Sequence, residues 1–292
     1  MKKVLAFGEI LWDVIDGSPH LGGAPLNFAV HYSQCGGESS ILSKIGEDEL
    51  GKKVLAILPQ MKVQSDLVQT TADKPTGTVT VTLNNGQPSY IIHEAVAYDD
   101  IDFTDHRICD QFDAFYFGTL VQRSSQSRES LIQLLKNCHF QEVFYDVNLR
   151  PGQYTKEIIK DSLGYCSILK LNDEEVYELG ELLFDQKIGF DAFASFLFES
   201  YPKIHLVVIT KGADGCAIYQ RDQSPVNVPS EKVEVKDTVG AGDSFSASFT
   251  FSFLNGKSAA ESAKIANTIA GFVASSQGAI PAYPKEVTNL LN

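Results

Sequence analysis

The chain has 292 residues, 43% of them hydrophobic and 21% charged, the balance of a globular protein with room for a sizeable core. Its 24 basic and 37 acidic side chains leave a formal charge of -13, which argues against nucleic acid or an anionic membrane as the main partner. Five cysteines stand singly with no C-x-x-C pair, a pattern that predicts reduced thiols in a cytoplasm and neither a disulfide framework nor a zinc site.

The opening "MKKVLAFGEILWDVI" places two lysines before an apolar run. Glu9 and Asp13 interrupt that run and no small-residue cleavage site follows, so it reads as a first buried strand and not as a signal peptide. No stretch approaches transmembrane length. Beyond it, "SSILSKI", "AFYFGTL", "EVFYDVN", "SILKLN" and "HLVVITKG" read as strands buried on both faces. Helical periodicity falls between them, over Asn27–Gln34, Glu49–Pro59, Ser127–Asn137, Asp173–Leu183 and Phe190–Tyr201. The alternation predicts βαβ units: an α/β fold with a doubly wound, mainly parallel sheet flanked by helices.

One region departs from this. Thr76–Asp100 alternates at period two, turns at Asn84-Asn85-Gly86 and alternates again, which predicts a β-hairpin. Leu11–Asp16 is a second short extended piece. Together they read either as an antiparallel edge of the main sheet or as a small β lid over a site, formed by about 11–16 and 76–98. No repeat, low-complexity tract or interdomain linker appears, and the expectation is one domain over 1–292.

Late in the chain, "VKDTVGAGDSFSASF" runs a glycine loop into a helix on which Phe245, Phe249 and Phe253 recur, with Gly256 as its stop. There is no Walker A loop, and Phe245 stands where a dinucleotide fingerprint wants its third glycine. The amides of Gly240, Ala241 and Gly242 suit an anion at a helix N-terminus. Asp243 falls in the first turn, where a capping carboxylate is the plain alternative to a functional one.

"DTVGAGD" resembles the C-terminal signature of the PfkB (ribokinase-like) family of sugar and nucleoside kinases, D-T-x-G-A-G-D. "LGGAPLNFAVHYSQCGGESSILSKIGEDELG" resembles its N-terminal signature through Gly22, Gly23, Asn27, Ala29, Gly46, Asp48 and Gly51. "KLNDEE" matches K-x-N-x-x-E, and "TKGADG" matches T-x-G-x-x-G. Four ordered motifs spread the resemblance nearly end to end. "YDVNLRPGQY" is similar to the fructokinase-like branch.

The resemblance implies an ATP-dependent carbohydrate kinase with Asp243 as general base and Gly240, Ala241 and Gly242 as the anion hole. It places Asp13, Gly23, Asn27 and Arg150 on the sugar, a surface salt bridge being the competing reading for Arg150. Asn172, Thr210, Gly212, Gly215 and Asn267 fall to ATP, and Glu175 to Mg²⁺ through water. "NDEE" is equally an ordinary helix cap, and the glycines of "TKGADG" equally a strand-to-strand turn. Asp237, Val239 and Gly278 are implied for K⁺, with Gly278 also near the adenine. Trp12 and His93 read as packing or surface residues within reach of substrate. The implied reaction phosphorylates a primary hydroxyl of a ketose, fructose first, in the cytoplasm, with a homodimer formed through the lid. Ribose, a nucleoside or 2-keto-3-deoxygluconate are the nearest other acceptors. A non-catalytic sugar-binding protein is a further reading, opposed by the intact G-A-G-D, and an oxidoreductase is opposed by the missing glycine.

Overall fold

A computed structural model describes residues 1–84, 87–104 and 106–291. The first strand, β1 (Lys3–Phe7), is the apolar run that Glu9 ends. Next, β2 (Leu11–Ile15) and β3 (Ser18–Gly22) form a hairpin closed by Asp16 and Gly17 alone. Both of these have positive φ, 48° and 79°, as a two-residue type I′ turn requires. The Asp-Gly pair announces this hairpin, yet the pattern reading carried only Leu11–Asp16 as extended; β3 is an addition. Then follow α1 (Ala24–Gln34), β4 (Glu38–Gly46), α2 (Glu49–Ile57) and two short strands, β5 (Val63–Gln64) and β6 (Val68–Thr71). Asp48 caps α2 by accepting from the Gly51 amide.

The expected hairpin is β7 (Gly77–Asn84) with β8 (Gln87–Ile92). Asn85 and Gly86, the tip of its expected turn, lie outside the described residues. Strict alternation follows through β9 (Ala114–Gly118), α3 (Ser125–Asn137), β10 (Glu142–Asp146), α4 (Lys156–Tyr165) and β11 (Ile168–Asn172). After α5 (Asp173–Phe184), α6 (Phe190–Ser200) and β12 (Leu206–Thr210), the sheet turns antiparallel with β13 (Cys216–Gln220) and β14 (Val226–Val228). Three helices close the chain: α7 (Ala241–Leu254), α8 (Ala259–Ala274) and α9 (Lys285–Thr288).

The large sheet runs β14-β13-β12-β11-β10-β9-β1-β4-β5, with β6 also on β4, and every pairing from β12 to β5 is parallel. Period-two alternation divides its side chains between two cores. Leu5, Phe7, Phe115, Phe117, Tyr145, Leu169 and Leu171 pack with residues of α3 to α6. Val4, Ala6, Tyr116, Phe144 and Ile168 face the other way, with Leu26 and Phe28 of α1 and Phe245 and Phe249 of α7. The order reverses at β1, which lies between β4 and β9, and ligands of such sheets bind beyond the carboxyl ends of the strands at that point.

β3-β2-β7-β8 form a separate four-stranded sheet, so the region is a small sheet of its own and not an edge of the large one. Its base is fastened by Arg123. That guanidinium, 8% exposed, donates to both Asp99 oxygens (2.9 and 3.2 Å), to the His93 carbonyl (2.7 Å) and to Gln153 (3.1 Å).

Two cysteines depart from expectation. Cys109 and Cys138, both buried, form a disulfide across a separation of 29 residues. The pairing corrects the reading of five reduced thiols: the end of α3 packs against the 106–110 turn, a contact that isolated cysteines in the sequence do not reveal. Cys35, Cys166 and Cys216 are free and buried.

Candidate active site

Candidate residues stand at the strand ends of the large sheet: Asp146 closes β10, Asn172 closes β11 and Thr210 closes β12. Gly240 caps α7 at φ 78°, and a Cβ there would stand 2.2 Å from the Ala279 carbonyl oxygen, so only glycine fits the turn. The next residues, Ala241 to Asp243, form the first turn of a helix buried along most of its length. Phe245, Phe249 and Phe253 stack in succession, centroids 6.0 and 5.8 Å apart, and hold that helix against the sheet.

Asp243 is buried, and Asn27 Nδ2 donates to its Oδ2 at 2.8 Å. Burial raises its pKa to about 6, helped by the Asp146 carboxylate and opposed by the Asn27 bond and by Lys170 and Arg150. The carboxyl is therefore ionised at neutral pH and basic enough to accept a proton.

Beneath the loop lies a buried polar cluster. In register on neighbouring strands, Lys170 donates to both Asp146 oxygens, at 3.0 and 3.1 Å. Ser246 (2.8 Å) and Tyr116 (3.3 Å) also donate to Asp146 Oδ2. Burial opposes the Lys170 charge, but the Asp146 and Glu175 carboxylates outweigh it and raise its pKa. Lys170 Nζ stands 3.3 Å from where a Cβ would sit on Gly242, which directs a fixed positive charge at the glycine loop. Lys170 sat inside the K-x-N-x-x-E match without a role, and its signal was a lysine inside an apolar strand.

Helix α1 braces the site from its other side. One turn after Asn27, His31 donates through Nε2 to the Ala279 carbonyl (2.9 Å) and accepts from Tyr283 at Nδ1 (2.7 Å). Burial lowers its pKa to about 4, so the ring is neutral and the tautomer fixed. Asn27 and His31 thus hold the α7 carboxylate and the loop that packs on Gly240.

At the lid side, Gly23 opens α1 at φ 111°, and a Cβ there would meet the Glu9 carbonyl oxygen at 2.4 Å. Asp13, half-buried, lies beside Gly22, and burial raises its pKa against the pull of Arg150 and His20. Arg150 is exposed, its Nη1 bound to Asn148 Oδ1 (2.8 Å) and the Leu149 carbonyl (3.0 Å), so it acts on Asp13 and Asp243 through charge alone. Trp12 is buried among apolar residues, and His93 pairs with Thr80 Oγ1 at 2.8 Å.

The residues implied for ATP and the metals are more tightly engaged. Asn172 and Glu175 form a capping box on α5; Glu175 accepts from the Asn172 amide on one oxygen and the Leu149 amide on the other, each at 2.8 Å. Thr210 ends β12 and donates to the Leu171 carbonyl at 3.4 Å. Gly212 and Gly215, at positive φ, turn β12 into β13. Asn267 donates to the carbonyls of Val228 (3.0 Å) and Pro229 (3.4 Å), which ties α8 to the end of β14. Asp237 gathers its partners, accepting from the Val239 amide at 3.0 Å and the Gly278 amide at 3.1 Å.

The sequence model of the pfkB family carbohydrate kinases matches residues 2–286. A fructokinase of Rhizobium leguminosarum bv. trifolii is 32% identical over 262 residues, covering 84% of this chain and 77% of its own length. An uncharacterized sugar kinase of Pyrococcus horikoshii, solved in complex with ATP, has a TM-score of 0.81 at 28% identity, over 98% of this chain and 99% of that one. A fructokinase of Xylella fastidiosa with bound ATP shares the fold at a TM-score of 0.88 and 22% identity, over 99% and 98% of the two chains. The chain belongs to the pfkB family of carbohydrate kinases, and it is a sugar kinase.

Proposed function

We propose that this kinase transfers the γ-phosphoryl group of ATP to a primary hydroxyl of a ketose, with fructose as first choice. One observation carries the reading: the buried Asp243 carboxylate, fixed by Asn27, stands in the same helical turn as the glycine-loop amides and above the Lys170 charge. Asp243 takes the hydroxyl proton as the sugar oxygen bonds to the γ-phosphorus and the bond to ADP breaks. The amides of Gly240 to Gly242 receive the developing charge, and Lys170 steadies them. Asp13, Gly23, Asn27 and Arg150 orient the sugar. Thr210, Gly212, Gly215 and Asn267 line the nucleotide side. The 32% identity to a fructokinase supports the ketose, and the ATP complex of the 28% identical kinase supports the donor.

Mg²⁺ keeps several waters and is bound largely through substrate phosphates, so the sparse acidic element at Asn172 and Glu175 suffices for it. Asn172 and Glu175 would hold Mg²⁺ through water, and the ion would supply charge neutralisation to those phosphates. Asp237, with the main chain of Val239 and Gly278, would hold K⁺. The single kinase domain works in the cytoplasm, where ATP is supplied. It pairs with a second copy through the lid, whose Ile15, Tyr90 and Ile91 are 40%, 59% and 54% exposed. Sedimentation as a monomer at micromolar concentration would count against that pairing.

The deciding assay is ADP release against fructose, ribose, nucleosides and 2-keto-3-deoxygluconate, with Mg²⁺ and with or without K⁺. Fructose should give the highest kcat/KM. Preference for another acceptor would reassign the substrate, and no turnover on any of them would remove the reading.

A further inference from the structure

Glu9 has no part in the reaction described above, although it stands where the sheet order reverses. It follows the end of β1 by two residues, and β1 is the strand flanked by β4 and β9. The residue is 4% exposed, and its Oε2 has no hydrogen-bond partner among the described residues. Gly23 packs directly on it: a Cβ at that glycine would stand 2.4 Å from the Glu9 carbonyl oxygen and 3.4 Å from its Cγ.

Among the described residues no cation offers it a bond. Arg123 and Arg150 act on its charge, but the donors of Arg123 go to Asp99, Gln153 and His93, and Arg150 is bound to Asn148 and Leu149. Burial, with Asp243 adding to it, raises its pKa to about 7. Asn27 Oδ1 and Tyr98 Oη are likewise buried and without partners. A buried carboxyl oxygen with nothing to bond costs stability, and a residue serving only the fold has no reason to carry that cost.

We infer that Glu9 is a further acceptor-binding residue, which takes a hydroxyl of the bound sugar on Oε2 beside the Asp13–Asn27 contacts and so helps select among sugars. The inference rests on the assignment of this end of the site to the sugar. A sugar hydroxyl is the matching ligand, because it brings a donor to an orphaned acceptor and adds no charge beside the Asp243 carboxylate, which already acts on Glu9.

The test is steady-state kinetics of the full chain and its Glu9→Gln and Glu9→Ala variants, on the preferred sugar and its monodeoxy analogues, with melting curves alongside. Expected are a KM for sugar raised about 10- to 100-fold in both variants, an unchanged KM for ATP, and a melting temperature in Glu9→Gln equal to or above that of the parent. One deoxy analogue should be a poor substrate for the parent yet suffer no extra loss in the variants. If the parent phosphorylates sugar while both variants keep its KM and its discrimination among analogues, the inference is overturned. A lowered melting temperature with sugar kinetics intact would overturn it too, by showing a structural role. Failure of the parent to phosphorylate any sugar is a distinguishable outcome: it would overturn the reading of the site and this inference with it.

Discussion

The two ends of the site treat their polar groups in opposite ways. At the lid end, Glu9 Oε2, Trp12 Nε1, Asn27 Oδ1 and Tyr98 Oη are buried without partners; they are four of the eight such side-chain atoms among the described residues. At the other end, Asn172, Glu175, Asn267 and Asp237 are each bound to main-chain groups. A small enclosed acceptor needs donors and acceptors waiting in fixed positions, and leaving them unsatisfied costs stability until it binds. A nucleotide approached by backbone and glycine turns needs rigid scaffolding, and the paired side chains supply it. Substitutions at the first end should therefore cost mainly rate or affinity, and those at the second should cost stability first and affinity for ATP second.

The largest expected effect is at Asp243. Asp243→Ala should lower kcat by about 10²–10⁴-fold with ATP binding kept, and near-normal turnover would break the assignment. Lys170 lies between the two ends. Lys170→Met strands the Asp146 carboxylate in the core and should cost about 3–5 kcal/mol in urea unfolding. Adding Asp146→Asn should restore much of that stability without restoring turnover; recovery of turnover would show that the pair serves only the fold.

The pH dependence has a fixed sign. Asp243 has a folded pKa of about 6, above its ordinary value of 3.8, so folding binds its proton more tightly. That contribution to stability is fully present below pH 4 and is lost as pH rises through 6, about 3 kcal/mol in all. Activity runs the other way and should rise through pH 6 as the base ionises. Asp243→Asn should flatten both limbs near pH 6, and an unchanged stability profile would show that this carboxyl is not the group that titrates there. The smallest effect belongs to the scaffold: Asn172→Ala should cost about 1 kcal/mol through the lost cap of α5. A fall in its melting temperature with only a modest rise in KM for ATP, through the water-held Mg²⁺, sharpens the contrast, whereas loss of ATP affinity without loss of stability would reverse it.

The strands and helices of the large sheet were legible because burial on one or two faces writes a period into the sequence. Lys3–Phe7, Glu142–Asp146 and Leu206–Thr210 fall inside the apolar runs that announced them. The glycine loop was legible because its backbone conformation admits little else: φ 78° at Gly240 and the close carbonyl of Ala279. Glu9 was visible only as an interruption of an apolar run, and the disulfide of Cys109 and Cys138 was not visible at all.

By itself, then, the sequence determined the layering of the fold, the order of its motifs and the chemistry available at each strand end. The tertiary structure alone decided who meets whom: that Asn27 reaches Asp243 across 216 residues, that Lys170 lies under Gly242, and that Glu9 Oε2 is left without a partner among the described residues. Periodicity is a local consequence of backbone geometry, whereas hydrogen bonding and burial between distant segments depend on how the sheet brings its strand ends together.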